Sequence, residues 1–138
     1  MASGLYRSFK TSCLTGVTDS LDSETLIKVL LIDTADYTVD LATHDFLNDV
    51  AAASIEEGPV TLTSTTVNSP EGGVFDAADM TFTAAAGDPC EALIIYSEGG
   101  GTDATRPLIA YIDGFSVTLN GGDVNVTWDS GANRIFKL

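Results

Sequence analysis

The chain is short of cations, of histidine and of cysteine, and each shortage closes a class of function. Six Lys and Arg stand against 20 Asp and Glu, a formal net charge of −14. Each phosphate contact wants a cation, and six of them scattered over 138 residues do not make a nucleic-acid surface. The same balance opposes an anionic membrane, so neither nucleic acid nor membrane is expected as a partner. The single histidine, His44, has no second histidine with which to share a metal, which removes zinc and iron sites of the usual composition. Cys13 and Cys90 match no metal spacing. They read as free thiols acting as small apolar residues, with a disulfide as the alternative. No segment approaches the roughly 18 apolar residues of a membrane span. The opening MASGLYRSFKTSCLTG lacks an apolar run of signal-peptide length, so synthesis in a cytoplasm is expected.

What is present belongs to a folded protein. Apolar residues make up 44% and aromatics 8%, enough for one core in a single domain over 1–138. Residues 1–20 read as an N-terminal helix or arm: Leu5, Phe9 and Leu14 recur among polar neighbours, with Ser3 as a candidate cap. TLIKVLLI (Thr25–Ile32), ALIIY (Ala92–Tyr96) and LIAYI (Leu108–Ile112) are short runs apolar on both faces, Lys28 excepted, and read as strands. A lysine in such a strand snorkels to a rim or pairs with a carboxylate. Thr- and Val-rich Pro59–Val67 and alternating Val74–Thr83 are further strands, separated by the turn residues Asn68–Gly73. Phe115, Val117 and Leu119 alternate with polar residues, as do Val124, Val126 and Trp128. The Asn120-Gly121-Gly122 between them predicts a hairpin. A last strand is expected over Arg134–Leu138. About seven to nine short strands, few helices and no βαβ rhythm define an all-β class, an antiparallel sandwich, jelly roll or barrel.

The Asp-rich stretch DTADYTVDLATHDFLNDV (Asp33–Val50) is the first candidate for chemistry. Asp33, Asp36 and Asp40 are interleaved with turn- and strand-forming residues. Asp33-Thr34-Ala35-Asp36 reads as an Asx-type turn, and Asp45 and Asp49 bracket the apolar pair Phe46–Leu47. The segment therefore reads as solvated turns, with a structural calcium site as the sharper alternative. His44 paired with an aspartate lacks a marked nucleophile. Asp123, Asn125, Thr127 and Asp129 imitate the start of a calcium loop, but the sixth-position glycine is missing and the twelfth residue is Arg134 rather than Glu. Strand alternation explains their spacing better. Gly99, Gly100 and Gly101 lie beside Glu98 and Asp103 with Arg106 the only cation nearby, a mobile loop rather than a phosphate cradle. No catalytic motif is visible, and neither enzyme activity nor a cofactor is expected.

Strands apolar on both faces must be covered on both, by the chain itself or by another copy. In a small β domain with one short helix, burial between subunits is the expectation, which makes a homo-oligomer, of which a trimer is one form.

Several blocks together, TLIKVLLIDTADYTVDLATHDFLNDV, GVFDAADMTFTA, EALIIY, RPLIAYIDG and NGGDVNVTWDSGANRIFKL, resemble a family of small virion structural proteins of tailed bacteriophages and prophages. The opening LYRSFKTSCLTG resembles that family's N-terminal helix, so the likeness covers nearly the whole chain. It implies a capsid cement or decoration protein with a jelly-roll-like fold. Such a protein sits on the capsid surface after synthesis in the host cytoplasm and contacts the major capsid protein. No active-site residue comes with it. Arg7, Lys10, Arg134 and Lys137, near the two termini, are the candidate contacts to an acidic partner surface. A tail, fibre or baseplate component binding a receptor is the alternative, and a sugar hydrolase working through a carboxylate pair is the third.

Overall fold

A computed structural model describes residues 3–16, 21, 26–68, 73–99, 101–132 and 134–138. Residues 1–2 and 17–20 of the N-terminal arm, the expected strand start at Thr25, residues 69–72 of the turn and Gly100 lie outside them.

The three runs that are apolar on both faces become the three central strands of the largest sheet. These are β2 (Ile27–Ile32), β7 (Ala92–Ser97) and β8 (Leu108–Ile112). With β1 (Gly4–Leu5) and β3 (Ile55–Thr61) they form an antiparallel sheet of order β1-β8-β7-β2-β3. Successive side chains of a strand point to opposite faces. All six residues of β7 are buried, and so are all of β2 except Lys28, so both faces of the sheet are covered. Lys28 is the exception that the sequence allows for: its ammonium bonds the Thr61 hydroxyl and lies 3.4 Å from Glu98.

The cover comes from the chain itself. One apolar cluster joins the sheet to Tyr6 and Phe9 at the N-terminus, to Tyr37, Val39, Leu47 and Val50 from the Asp-rich segment, and to Phe75, Phe82 and Leu119 beyond it. The exposed surface of 6825 Å² is that of a compact monomer of 14.4 kDa, for which roughly 6,800 Å² is expected. The argument that these strands require a second copy therefore loses its premise: their faces are filled within one chain.

The short helix is α1 (Arg7–Thr15), with Phe9 facing the core. It is not capped by Ser3. Its Ncap is Tyr6, which makes no side-chain capping bond, while the Ser3 hydroxyl faces Asp113 instead, 2.9 Å from the N–H and 3.0 Å from Oδ1. Gly4 and Leu5 between them pair with Tyr111 and Ala110 of β8. The helix ends where Gly16 adopts φ +71° and its N–H bonds Ser12 O, a left-handed stop natural to glycine. Leu14 is 90% exposed and does not join the apolar face expected of it.

Two expected strands are each split between sheets. The first leaves β3, buries Leu62, turns at Ser64 (φ +51°) and resumes as β4 (Thr66–Asn68). The second is β5 (Val74–Asp76), then β6 (Met80–Phe82). The breaks face each other, joined by the bond from Ala78 N–H to Thr63 O at 2.9 Å. A three-stranded sheet, β10-β5-β4, takes in the terminal β10 (Phe136–Lys137), and β6 pairs with β9 (Val124–Val126) alone.

The expected hairpin around Asn120–Gly122 does not form. Its turn exists: Gly122 N–H bonds Asn120 Oδ1 and Gly121 has φ +85°. Its arms find separate partners. Val117 exchanges two 2.9 Å bonds with Cys90, while β9 pairs with β6. Ala85 bonds both Gly121 and Gly122, and Asp123 Oδ1 accepts the Ala84 N–H, so the turn is held from the side. Nonlocal ladders outcompete the local one, and the arms stay apart.

Candidate functional site

The Asp-rich segment folds into a series of self-bonded turns. Asp33 Oδ1 accepts the Ala35 N–H at 2.7 Å, the expected Asx turn. Asp40 Oδ1 accepts from Ala42 and Thr43, and Asp49 Oδ2 from Asp45 and Phe46. The Thr43 side chain and these N–H groups hold the Asp40 carboxyl below its ordinary value. Burial acts to raise Asp49, but the Asp45 and Phe46 N–H groups outweigh it and leave it lowered. Burial, with the Asp49 carboxylate beside it, raises Asp45. In one respect the solvated reading is corrected: Asp33 is only 7% exposed.

His44 is part of the same scaffold. Its Nδ1 lies 2.8 Å from the Tyr37 hydroxyl and accepts the Asp40 N–H at 3.3 Å, and the Tyr37 and Tyr6 hydroxyls are 3.1 Å apart. Burial pushes the Tyr6 phenol far up and Tyr37 up to about 12, so both remain protonated donors. The arrangement ties the segment to Tyr6 and the core, and the imidazole also lines a cavity of about 400 Å³ shared with Ser8, Ser12 and Thr43.

Three carboxylates that the sequence keeps far apart do meet. Asp33, Glu56 and Asp88 place one oxygen each within 4.8 Å of the others. Two of them are engaged with backbone, Asp33 with Ala35 and Glu56 with the Asp88 N–H at 3.1 Å. Gly87 carries φ +143°, and a Cβ there would run into the Glu56 carboxylate, so glycine is required beside the cluster. The imitation calcium loop is explained by strand pairing. Asn125 Oδ1 accepts from the Thr81 hydroxyl across the β6–β9 pair, and Trp128 N–H bonds Asp79.

Both thiols are free. Burial, followed by the charges of Glu56 and Glu91, pushes Cys90 up to about 12, and Cys90 is wholly inaccessible. Cys13 is half-buried and also raised by burial. Native protein treated with iodoacetamide at neutral pH is therefore expected to be alkylated at Cys13 alone, and at both thiols after unfolding. Equal rates at the two thiols in the native state, or no free thiol after unfolding, would contradict this packing.

The cations divide into used and exposed. Arg106 is paired with Asp103 at 2.8 Å and lies 3.8 Å from Glu98, so the glycine loop does not offer it to a phosphate. Arg134 lies 3.7 Å from Asp76 and is half-buried. Arg7, Lys10 and Lys137 are exposed. Phe9 meets Phe136 edge-on, with ring centres 5.9 Å apart, which sets α1 against β10 and places those three cations on touching elements.

The described residues also form concavities that the sequence did not announce. A cavity of about 480 Å³ is lined by Thr34, Tyr37, Glu91, Tyr111, Asp113 and Phe115, among others. A second, of about 340 Å³, lies between Phe115–Val117 and β9 over a floor of Leu31 and Leu93. The two meet at Phe115, which is 37% exposed. Glu91 is braced by the Thr34 N–H and hydroxyl, at 3.2 and 2.9 Å. Taken together as one trough, the first cavity is acidic and the second apolar, and the second opens between the two arms that the expected hairpin would have paired.

Among the described residues, no helix is long and apolar enough to cross a membrane. The chain matches no protein-family model and no curated protein.

Proposed function

We propose that this chain is a bacteriophage virion structural protein, a capsid cement that bridges and stabilises capsomers by non-covalent contacts with the major capsid protein. The observation that carries the reading is a trough beside the open edge of β9 on a domain that already fills its own core. A chain that needs no partner to fold, yet keeps an exposed apolar groove, is built to bind protein. The resemblance of its sequence blocks to tailed-phage virion proteins supplies the setting. A net charge of −14 suits a protein crowded in many copies on one shell, where like charge keeps spare copies soluble and away from the packaged genome. Self-association, a trimer included, is part of the proposal and draws on the symmetry of shells rather than on any shortage of core. Quantitative mass spectrometry of purified particles tests it. A copy number on the scale of the capsomers is expected. A handful of copies per particle would assign the chain to the tail or baseplate, and none would remove it from the virion.

A further inference from the structure

We infer that the trough takes an extended, apolar peptide segment carrying a lysine or arginine at one end, added as a strand between β9 and residues 115–117. This deepens the proposed binding role, on which it rests, by naming the chemistry of the occupant.

β9 has a ladder partner, β6, on one edge only, and among the described residues no backbone bond joins it to residues 115–117. On the other bank, Val117 directs both its backbone groups to Cys90. In an extended segment adjacent residues alternate direction, so the groups of Ser116 and Thr118 turn to the opposite edge. Both banks therefore offer ladder positions, and strand addition is the recognition mode that such positions support.

Side chains set the rest. Leu31, Leu93, Val117, Val124 and Val126 line the apolar end, where alternate residues of an added strand would pack. At the other end Glu91 supplies negative charge, and no Lys or Arg lines either cavity. Glu91 is held in place by the Thr34 N–H and hydroxyl, so its carboxylate is preorganised for a cation. A glycan fits less well. Tyr37 and Tyr111 are buried and offer no stacking face, which leaves Phe115 alone, and the lining by Leu31, Leu93 and the valines suits apolar side chains better than sugar hydroxyls.

The probe is the acetylated, amidated peptide Lys-Val-Thr-Val-Thr-Val, titrated into the isotope-labelled full chain and followed by amide chemical shifts. Saturable shifts are expected at residues 91, 113, 115–117 and 124–126, with half-saturation below about 1 mM. Replacing the peptide's lysine by glutamate should weaken binding at least about fivefold, and N-methylation at alternate residues should abolish it. Phe115→Ala should weaken it about tenfold. E91Q should leave the fold intact and erase the preference for lysine. No shifts at several times that concentration, equal binding of the lysine and glutamate peptides, or a chito-oligosaccharide shifting the same residues would overturn the inference. If the peptides fail while particle counts match the capsomers, the trough assignment falls and the virion role stands. If the peptides bind but the chain is absent from particles, the virion role falls alone.

Discussion

Replacing Ile94 with alanine is expected to lower the unfolding free energy by about 3 kcal/mol, the loss that follows removal of a fully buried aliphatic side chain. Ile94 lies on β7, the middle strand of the five, between Leu30 of β2 and Tyr111 of β8, and has no exposed surface. For a chain of this size the thermal midpoint should fall by about 10 °C. The midpoints of both wild type and variant should be independent of protein concentration, because the faces of β7 are filled within one chain. If instead subunits covered these strands, folding would be linked to association, and both midpoints would climb with concentration. A rise of several degrees over a hundredfold dilution series would refute the self-filled core.

A comparable loss is expected at an unobtrusive position, Gly58. β3 does not follow β2 residue for residue. Val29 pairs with Val60 but Leu31 with Glu57, so Gly58 and Pro59 together oppose Leu30 in a bulge. Gly58 sits at φ +106°, and a Cβ there would lie 2.7 Å from Val29 O, which is backbone and cannot step aside. Gly58→Ala therefore combines a disfavoured dihedral with a clash at the edge of the main sheet, and should cost at least about 2 kcal/mol. Gly101→Ala is the matched control, since it shares a positive φ, +82°, but has open space around it. Urea unfolding of the two variants should show the larger loss at Gly58. Equal losses would mean that the bulge does not approach β2 as closely as described.

Much of the fold was legible in the sequence because the central strands advertise themselves. TLIKVLLI, ALIIY and LIAYI have no polar face, and their five- to eight-residue length with turn-forming residues beside them favours a buried strand over a buried helix. Their coverage was misread because one sequence does not show that Tyr6, Tyr37, Val50 and Leu119, distant along the chain, fold over them. The alternation of residues 124–126 was also legible, with Val124 and Val126 turned inward and Asn125 outward, yet the partner was not. An Asn-Gly-Gly turn between alternating segments favours a local hairpin, and the competing partners lie far off in sequence, Cys90 for Val117 and Met80–Phe82 for β9, where no local pattern points. The candidate site suffered twice from this. The apolar end of the trough opens between two arms that splay, and Asp33, Glu56 and Asp88 meet only through the tertiary fold. By contrast, the reading of Asp33–Val50 as turns needed only neighbouring residues, and the bonds within Asp33–Ala35, Asp40–His44 and Asp45–Asp49 follow it.

The account stands on binding through a preformed groove rather than on chemistry, and imaging the assembled particle at a resolution that traces backbone tests it most directly. The prediction is copies of this domain across the outer shell, each with a segment of capsid protein running as a strand alongside β9 and its cation beside Glu91. Copies confined to the tail, or a trough open to solvent in domains seated on the shell by another face, would contradict it.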